Sequence, residues 1–143
     1  MSSISLDQAN KIIDGAFSYA RDNGLKPLSV VVLDARGSMK AAASADGTSM
    51  GRSQIAFGKA YGGLAFECNS RTLGAMATSR PHFIGALNGV FSGNLVPVPG
   101  GLTIVGQHGE AIGAVGVSGD TSDKDEAAAL AGVASAGLVA ASE

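Results

Sequence analysis

VPVPGGLTIVGQHGEAIGAVGVSGDTSD, from Val96 to Asp123, is the stretch whose reading decides the fold. Leu102 to Val105 and Ala111 to Val117 are β-rich runs, and Gly106-Gln107-His108-Gly109 between them is a hairpin signal. If the two runs pair, Pro99-Gly100-Gly101 at one end comes close to Gly116-Val117-Ser118-Gly119-Asp120 at the other. The second glycine-rich loop leads into a helix. Ser122 with Asp125 caps it, and Asp123, Asp125 and Glu126 in its first turn suit the positive end of the helix dipole. Ala127, Leu130, Ala131, Ala134, Leu138 and Val139 supply its apolar face.

Working outward, the N-terminal segment reads as a helix. Ser5-x-x-Gln8 is a capping box, Ile4 holds the staple position, and Leu6, Ala9, Ile12, Ile13, Ala16, Phe17 and Ala20 recur at helical spacing until Asn23-Gly24. The Val-rich run Leu28 to Asp34 reads as a buried strand. Asp34-Ala35-Arg36-Gly37 turns the chain back into a second strand over Ser38 to Ser44. Asp46-Gly47-Thr48-Ser49 is a turn able to cap a helix over Met50 to Phe66. Ala56, Phe57, Ala60, Tyr61, Leu64 and Ala65 form the apolar face of that helix, and Lys59 projects away from it. Gly58, Gly62 and Gly63 each weaken the helix by roughly 1 kcal/mol relative to Ala, which close packing against a neighbouring backbone would explain. A short helix starts at Ser70, and Ser79-Arg80-Pro81 starts another, with Pro in the first turn. Asn88-Gly89 closes this one ahead of a short strand at Val90-Phe91. Hairpins toward both ends of the chain predict an antiparallel sheet with helices packed on it, an α+β domain spanning residues 1–143.

Composition narrows the function classes. With 143 residues, 45% hydrophobic and 15% charged, the chain can bury one ordinary core. A net charge of −2 gives no basic stripe for nucleic acid. Cys68 alone forms no internal disulfide, and with His82 and His108 it does not complete a four-ligand structural zinc site, so no metal site is expected. Residues 81–109 carry no Asp, Glu, Lys or Arg, a run longer than the ~20 residues of a membrane span. Pro81, Pro97, Pro99, many glycines, Asn88 and Asn94 break it, so it reads as the interior of a small domain. Asp7, Lys11 and Asp14 interrupt the N-terminal apolar positions, so no signal peptide is expected there and a cytoplasmic protein is expected.

Few motifs carry chemistry. Gly47-Thr48-Ser49-Met50-Gly51 matches the G-x-S-x-G elbow, but no Asp lies between Ser49 and either His, and helix capping is the simpler role for Ser49. The spacing of Gly113, Gly116 and Gly119 is not G-x-G-x-x-G and lacks a P-loop Lys, so a nucleotide site has little support. The helix after Asp120 offers free N–H groups to an anion such as a carboxylate or propionate, a field that Asp120, Asp123, Asp125 and Glu126 partly cancel. Arg52 and Lys59, two helical turns apart, share a face, with solvation at the surface as their ordinary role. His82 and His108 read as loop residues, although a single His suffices as an axial haem ligand.

Val30-Val31-Val32-Leu33-Asp34 with Gly37, Asp46-Gly47, Lys59-Ala60, Pro99-Gly100-Gly101, and Gly113-Ala114-Val115-Gly116-Val117-Ser118-Gly119 with Asp123 together carry a resemblance. The chain resembles the haem-binding family of GlcG-type proteins, which includes secreted haem-binding sensors and the C-terminal domain of some corrinoid adenosyltransferases. The resemblance implies an antiparallel sheet of about five strands, self-association into homo-oligomers, and haem or a related tetrapyrrole as ligand in some members. It departs at Ser44-Ala45, where members often place an Arg before the Asp-Gly turn. Three readings follow. In the first, the protein binds haem or a related small molecule near Pro99, Gly100, Gly101, Gly116, Ser118, Gly119 and Lys59. In the second, it is a cofactor-independent enzyme for a small carboxylate substrate, with Lys59 as anion site or base and Ser118, Asp120 or Asp123 orienting the substrate. In the third, it is a ligand-free assembly module.

Overall fold

A computed structural model describes residues 2–143. Ten elements follow in order: α1 (Leu6–Asp22), β1 (Ser29–Asp34), β2 (Met39–Ser44), α2 (Arg52–Ala65), α3 (Ser70–Ser79), α4 (Pro81–Val90), β3 (Gly101–Val105), β4 (Ala111–Ser118), α5 (Ser122–Ser135) and β5 (Val139–Ala140). The strands form one antiparallel sheet in the order β2-β1-β4-β3-β5. This is the expected α+β architecture with five strands.

Strand periodicity places a different core on each face of the sheet. Val30 and Val32 of β1, Leu102 and Ile104 of β3, and Val115 and Val117 of β4 point to one side, where they pack with Ile12 and Ala16 of α1 and Ala128, Ala129 and Val133 of α5. Val31, Leu33 and Ala114 point to the other and meet Ala56, Ala60 and Leu64 of α2. Behind α2, Leu73, Ile84 and Leu95 join α3 and α4 in a third, smaller cluster. Being covered on both faces, β1 reads as a continuous apolar run.

The N-terminal cap is as the sequence specifies. The Gln8 N–H donates to Ser5 Oγ at 3.1 Å, the Ser5 N–H donates to Gln8 Oε1 at 3.0 Å, and Ile4 is buried. Four expectations are corrected. No side chain caps α2, which begins at Arg52 after Gly51. Thr48 instead closes the preceding turn by donating to the Ala45 carbonyl at 2.6 Å. Val90 belongs to α4, not to a strand, and the Phe91 ring packs edge-on against Tyr61 and Phe66. The fifth strand lies at Val139–Ala140, because α5 ends at Ser135 and Gly137, with φ 71°, reverses the chain onto β3. The cap of α5 is Thr121 rather than Ser122, with the Lys124 N–H donating to Thr121 Oγ1.

Candidate functional site

β3 and β4 pair as the hairpin predicts, with Gly101 opposite Gly116, and the Val117 N–H donates to the Gly100 carbonyl at 2.9 Å. The two glycine-rich ends therefore do meet. A Cβ on Gly116 would fall 1.9 Å from the Ala56 carbonyl oxygen, and one on Gly101 would fall 2.2 Å from that of Lys59. Both glycines thus form a saddle for the backbone of α2. Gly119 is closed in by Pro27 and Leu28 in the same way. The close approach expected there for a ligand is made by the chain's own helix.

Lys59 explains Gly100. Far from being solvated, Lys59 is 2% exposed, and its Nζ donates to the Val117 carbonyl and to Asp125 Oδ2, each at 3.0 Å. A Cβ on Gly100 would lie 2.8 Å from Nζ, and the backbone there has φ 127°, so the position demands glycine twice over. Asp125 is equally buried, and its Oδ1 accepts the Asp120 N–H at 2.9 Å. Desolvation lowers the Lys59 pKa, opposed by the charge and hydrogen bond of Asp125 and assisted by nearby Arg52. Arg52 does share the Lys59 face, as its spacing predicts, and donates to Ser118 Oγ at 3.2 Å. Asp125 is the residue that sequence reasoning missed as a partner. It stands where any acidic residue of a helix start would, 66 positions from Lys59.

The remaining candidates lie apart from this pair. The Asp120 carboxylate accepts the Lys26 and Thr121 N–H groups, which lower its pKa. Asp123 pairs with Arg71 on the surface, and Arg71 also grips Glu126. Pro99 is half-buried, and the adjacent Val98 carbonyl accepts from Ser70 Oγ at 2.6 Å. Ser49, His82 and His108 are exposed. Among the described residues no group of three or more His, Cys, Asp and Glu could hold a metal ion, and no helix is long and apolar enough to cross a membrane.

The open space is elsewhere, in several surface clefts, one of about 600 Å³ lined by Gln8, Gln107 and His108 beside the β3–β4 turn. A cleft of about 570 Å³ is lined by Ala35, Arg36 and Gly37 of the β1–β2 turn, by Tyr61, Leu64 and Ala65 of α2, and by Glu67, Glu110 and Ala111. That volume is within the range of ligand sites. Tyr61 stacks on Phe57 with ring centroids 5.5 Å apart, and its ring edge lies against Gly37. Glu67 adopts φ 54°, a left-handed conformation uncommon outside glycine. Glu110 folds back onto its own turn, where its carboxylate accepts the His108 N–H and its pKa is lowered by backbone hydrogen bonds. In the sequence Tyr61 reads only as part of an apolar helix face and Arg36 only as a turn residue. Their joining needs the β1–β2 turn to fold over the end of α2.

Comparison with known proteins places these observations. The family model for haem-degrading HbpS-like proteins matches residues 4–134. Among curated proteins none matches the sequence. The fold is similar to that of the Klebsiella pneumoniae protein ORFY, with TM-score 0.88 and 19% identity over 97% of this chain and 94% of that one. It is also similar to PduOC, solved as a heme complex, with TM-score 0.84 and 21% identity over 96% of this chain and 97% of the other. A crystal structure of HbpS aligns with TM-score 0.81 and 26% identity, covering 94% of this chain and 90% of that one. The match extends from Ile4 at the start of α1 to Ala134 near the end of α5, so it includes both glycine-rich loops and the Lys59–Asp125 pair. The chain belongs to the HbpS-like family of haem-degrading proteins.

Proposed function

We propose that this protein binds haem or a related tetrapyrrole in the cleft between the β1–β2 turn and α2, and does so as a self-associating protein. The observation that carries the reading is the family match over residues 4–134 together with an open cleft of about 570 Å³. The cleft has an apolar floor of Leu64, Ala65, Ala111 and the Tyr61 ring, with charged groups at its rim. An amphipathic, planar ligand with apolar faces and carboxylate edges matches that distribution. The glycine-rich loops contribute indirectly by seating α2, one wall of the cleft, on the sheet.

The alternative of an enzyme for a small carboxylate loses its anion site. The Lys59 ammonium is already neutralised by Asp125 within the chain and is closed to solvent. Self-association has the outer face of α4 to use. His82, Gly85, Ala86, Gly89 and Val90 there are exposed and carry no carboxylate, Lys or Arg.

Titration of the purified protein with hemin should give a saturable Soret shift, from a species with a native mass above the 14.1 kDa of one chain. Absence of saturation at micromolar hemin would remove the haem reading. A native mass of one chain would remove the assembly reading alone.

A further inference from the structure

The haem reading leaves open which atom would meet the iron. Neither histidine lines the cleft, since His82 is on α4 and His108 is in the β3–β4 turn, both exposed. Cys68, Met39, Met50 and Met76 also lie outside it. The oxygen donors that line it are Tyr61, Glu67 and Glu110. Glu110 is engaged by the backbone of its own turn, which holds its carboxylate there. Glu67 is exposed on the rim. Tyr61 differs from both. It is half-buried, its ring is fixed by stacking on Phe57 and by the edge contact with Phe91, and its hydroxyl makes no hydrogen bond among the described residues. That hydroxyl is therefore not tied up within the chain, and tyrosine is an established axial ligand of haem iron.

The charge distribution fixes the orientation of a ligand. Arg36 is the only Lys or Arg lining the cleft, and its guanidinium pairs with no carboxylate among the described residues. Glu67 and Glu110 stand on the other elements of the cleft wall and repel carboxylates from their side. A propionate is therefore directed to the β1–β2 turn, where an Arg fork can hold it in a charge-assisted hydrogen bond.

Resting on the haem reading, we infer that Tyr61 is the axial ligand and Arg36 the propionate anchor of this site. On ligation the phenol loses its proton to solvent and binds as phenolate. The protein thereby supplies an anionic oxygen donor in a cleft whose lining holds no imidazole.

The test is ferric hemin binding by the wild type, Tyr61→Phe and Arg36→Ala, read by absorption titration and by resonance Raman spectroscopy. Phenylalanine keeps the ring that stacks on Phe57, so the variant retains the local packing. The wild type should show phenolate-ring vibrations enhanced by excitation into the ligand-to-iron band. Tyr61→Phe should lose them and bind roughly tenfold or more weakly, whereas Arg36→Ala should keep them while weakening binding by about tenfold, the loss of one charge-assisted contact. Wild-type binding with a spectrum unchanged by Tyr61→Phe would overturn the ligand assignment and leave the haem reading standing. No saturable binding by the wild type would overturn both.

Discussion

At the scale of single residues, Lys59 is the informative case. A lysine on an otherwise apolar helix is ordinarily assigned to solvent, because burying an ammonium costs several kcal/mol even after relaxation. This one is buried because its three-donor head finds a backbone carbonyl and a carboxylate, Val117 and Asp125, whose own lone pairs are shared with the Asp120 N–H. The pair ties α2 to β4 and α5, and breaking it by removing one member strands the other charge. Lys59→Met should lower unfolding stability by about 3–5 kcal/mol, measured by urea denaturation at neutral pH. Lys59→Met combined with Asp125→Asn should cost less than Lys59→Met alone, because no buried charge is left uncompensated. A double variant less stable than the single one would mean that the pair is not coupled.

At the scale of elements, the glycines sort into two classes that the sequence presents alike. Gly101 and Gly116 face each other across β3 and β4, and α2 rests its backbone on both. Gly85, inside α4, has nothing within 4 Å of where a Cβ would go. Substitution by Ala should therefore have opposite signs. Gly116→Ala should destabilise by about 1–3 kcal/mol or more through overpacking against Ala56, while Gly85→Ala should stabilise by roughly 0.5–1 kcal/mol through helix propensity. Paired chemical-denaturation curves decide it, and a destabilised Gly85→Ala would show that α4 has a packing partner outside this chain.

Elements were legible wherever their signal is local. The capping box at Ser5 and Gln8, the valine run of β1 and the hairpin of β3 and β4 all stand where periodicity and turn chemistry place them. The misreadings lie at boundaries. Thr121 and Ser122 are both good caps, and only the direction of the chain leaving Asp120 selects between them. Val90 has a β-branched side chain favoured in strands, yet it completes a helix whose neighbour Phe91 is drawn into the Tyr61 and Phe66 cluster.

At the scale of the whole molecule, the C-terminal segment is tied to the sheet and to the start of α3. β5 covers the outer edge of β3, and the last residues then cross to the start of α3. The Ala141 N–H donates to the Thr103 carbonyl at 2.8 Å, the Asn69 N–H to the Glu143 carbonyl at 2.7 Å, and Asn69 Nδ2 to the Ala141 carbonyl at 2.7 Å. Asn69 Oδ1 meanwhile accepts the Thr103 N–H, so one buried amide links β3, α3 and the C-terminal segment. Removing residues 139–143 takes away these three contacts and exposes an edge strand. At about 1 kcal/mol each, the truncation should lower stability by roughly 3 kcal/mol, seen as a fall in Tm of about 6–12 °C, and it should increase aggregation. An unchanged Tm would mean that β5 contributes nothing to the native state.

The sequence by itself determined the α+β class, the hairpin of Val96 to Asp123, the N-terminal helix with its cap and the family resemblance. These rest on spacings of two to four residues and on short motifs, which operate within a single element. Only the tertiary structure decided that the glycine-rich loops seat α2, that Lys59 is buried against Asp125, and that Arg36 and Tyr61 share a cleft. Each of these depends on residues far apart in the chain, 66 positions in the case of Lys59 and Asp125. The cost or benefit of burying a charge, or of leaving out a side chain, is set by what lies across the contact, and no local pattern encodes that neighbour.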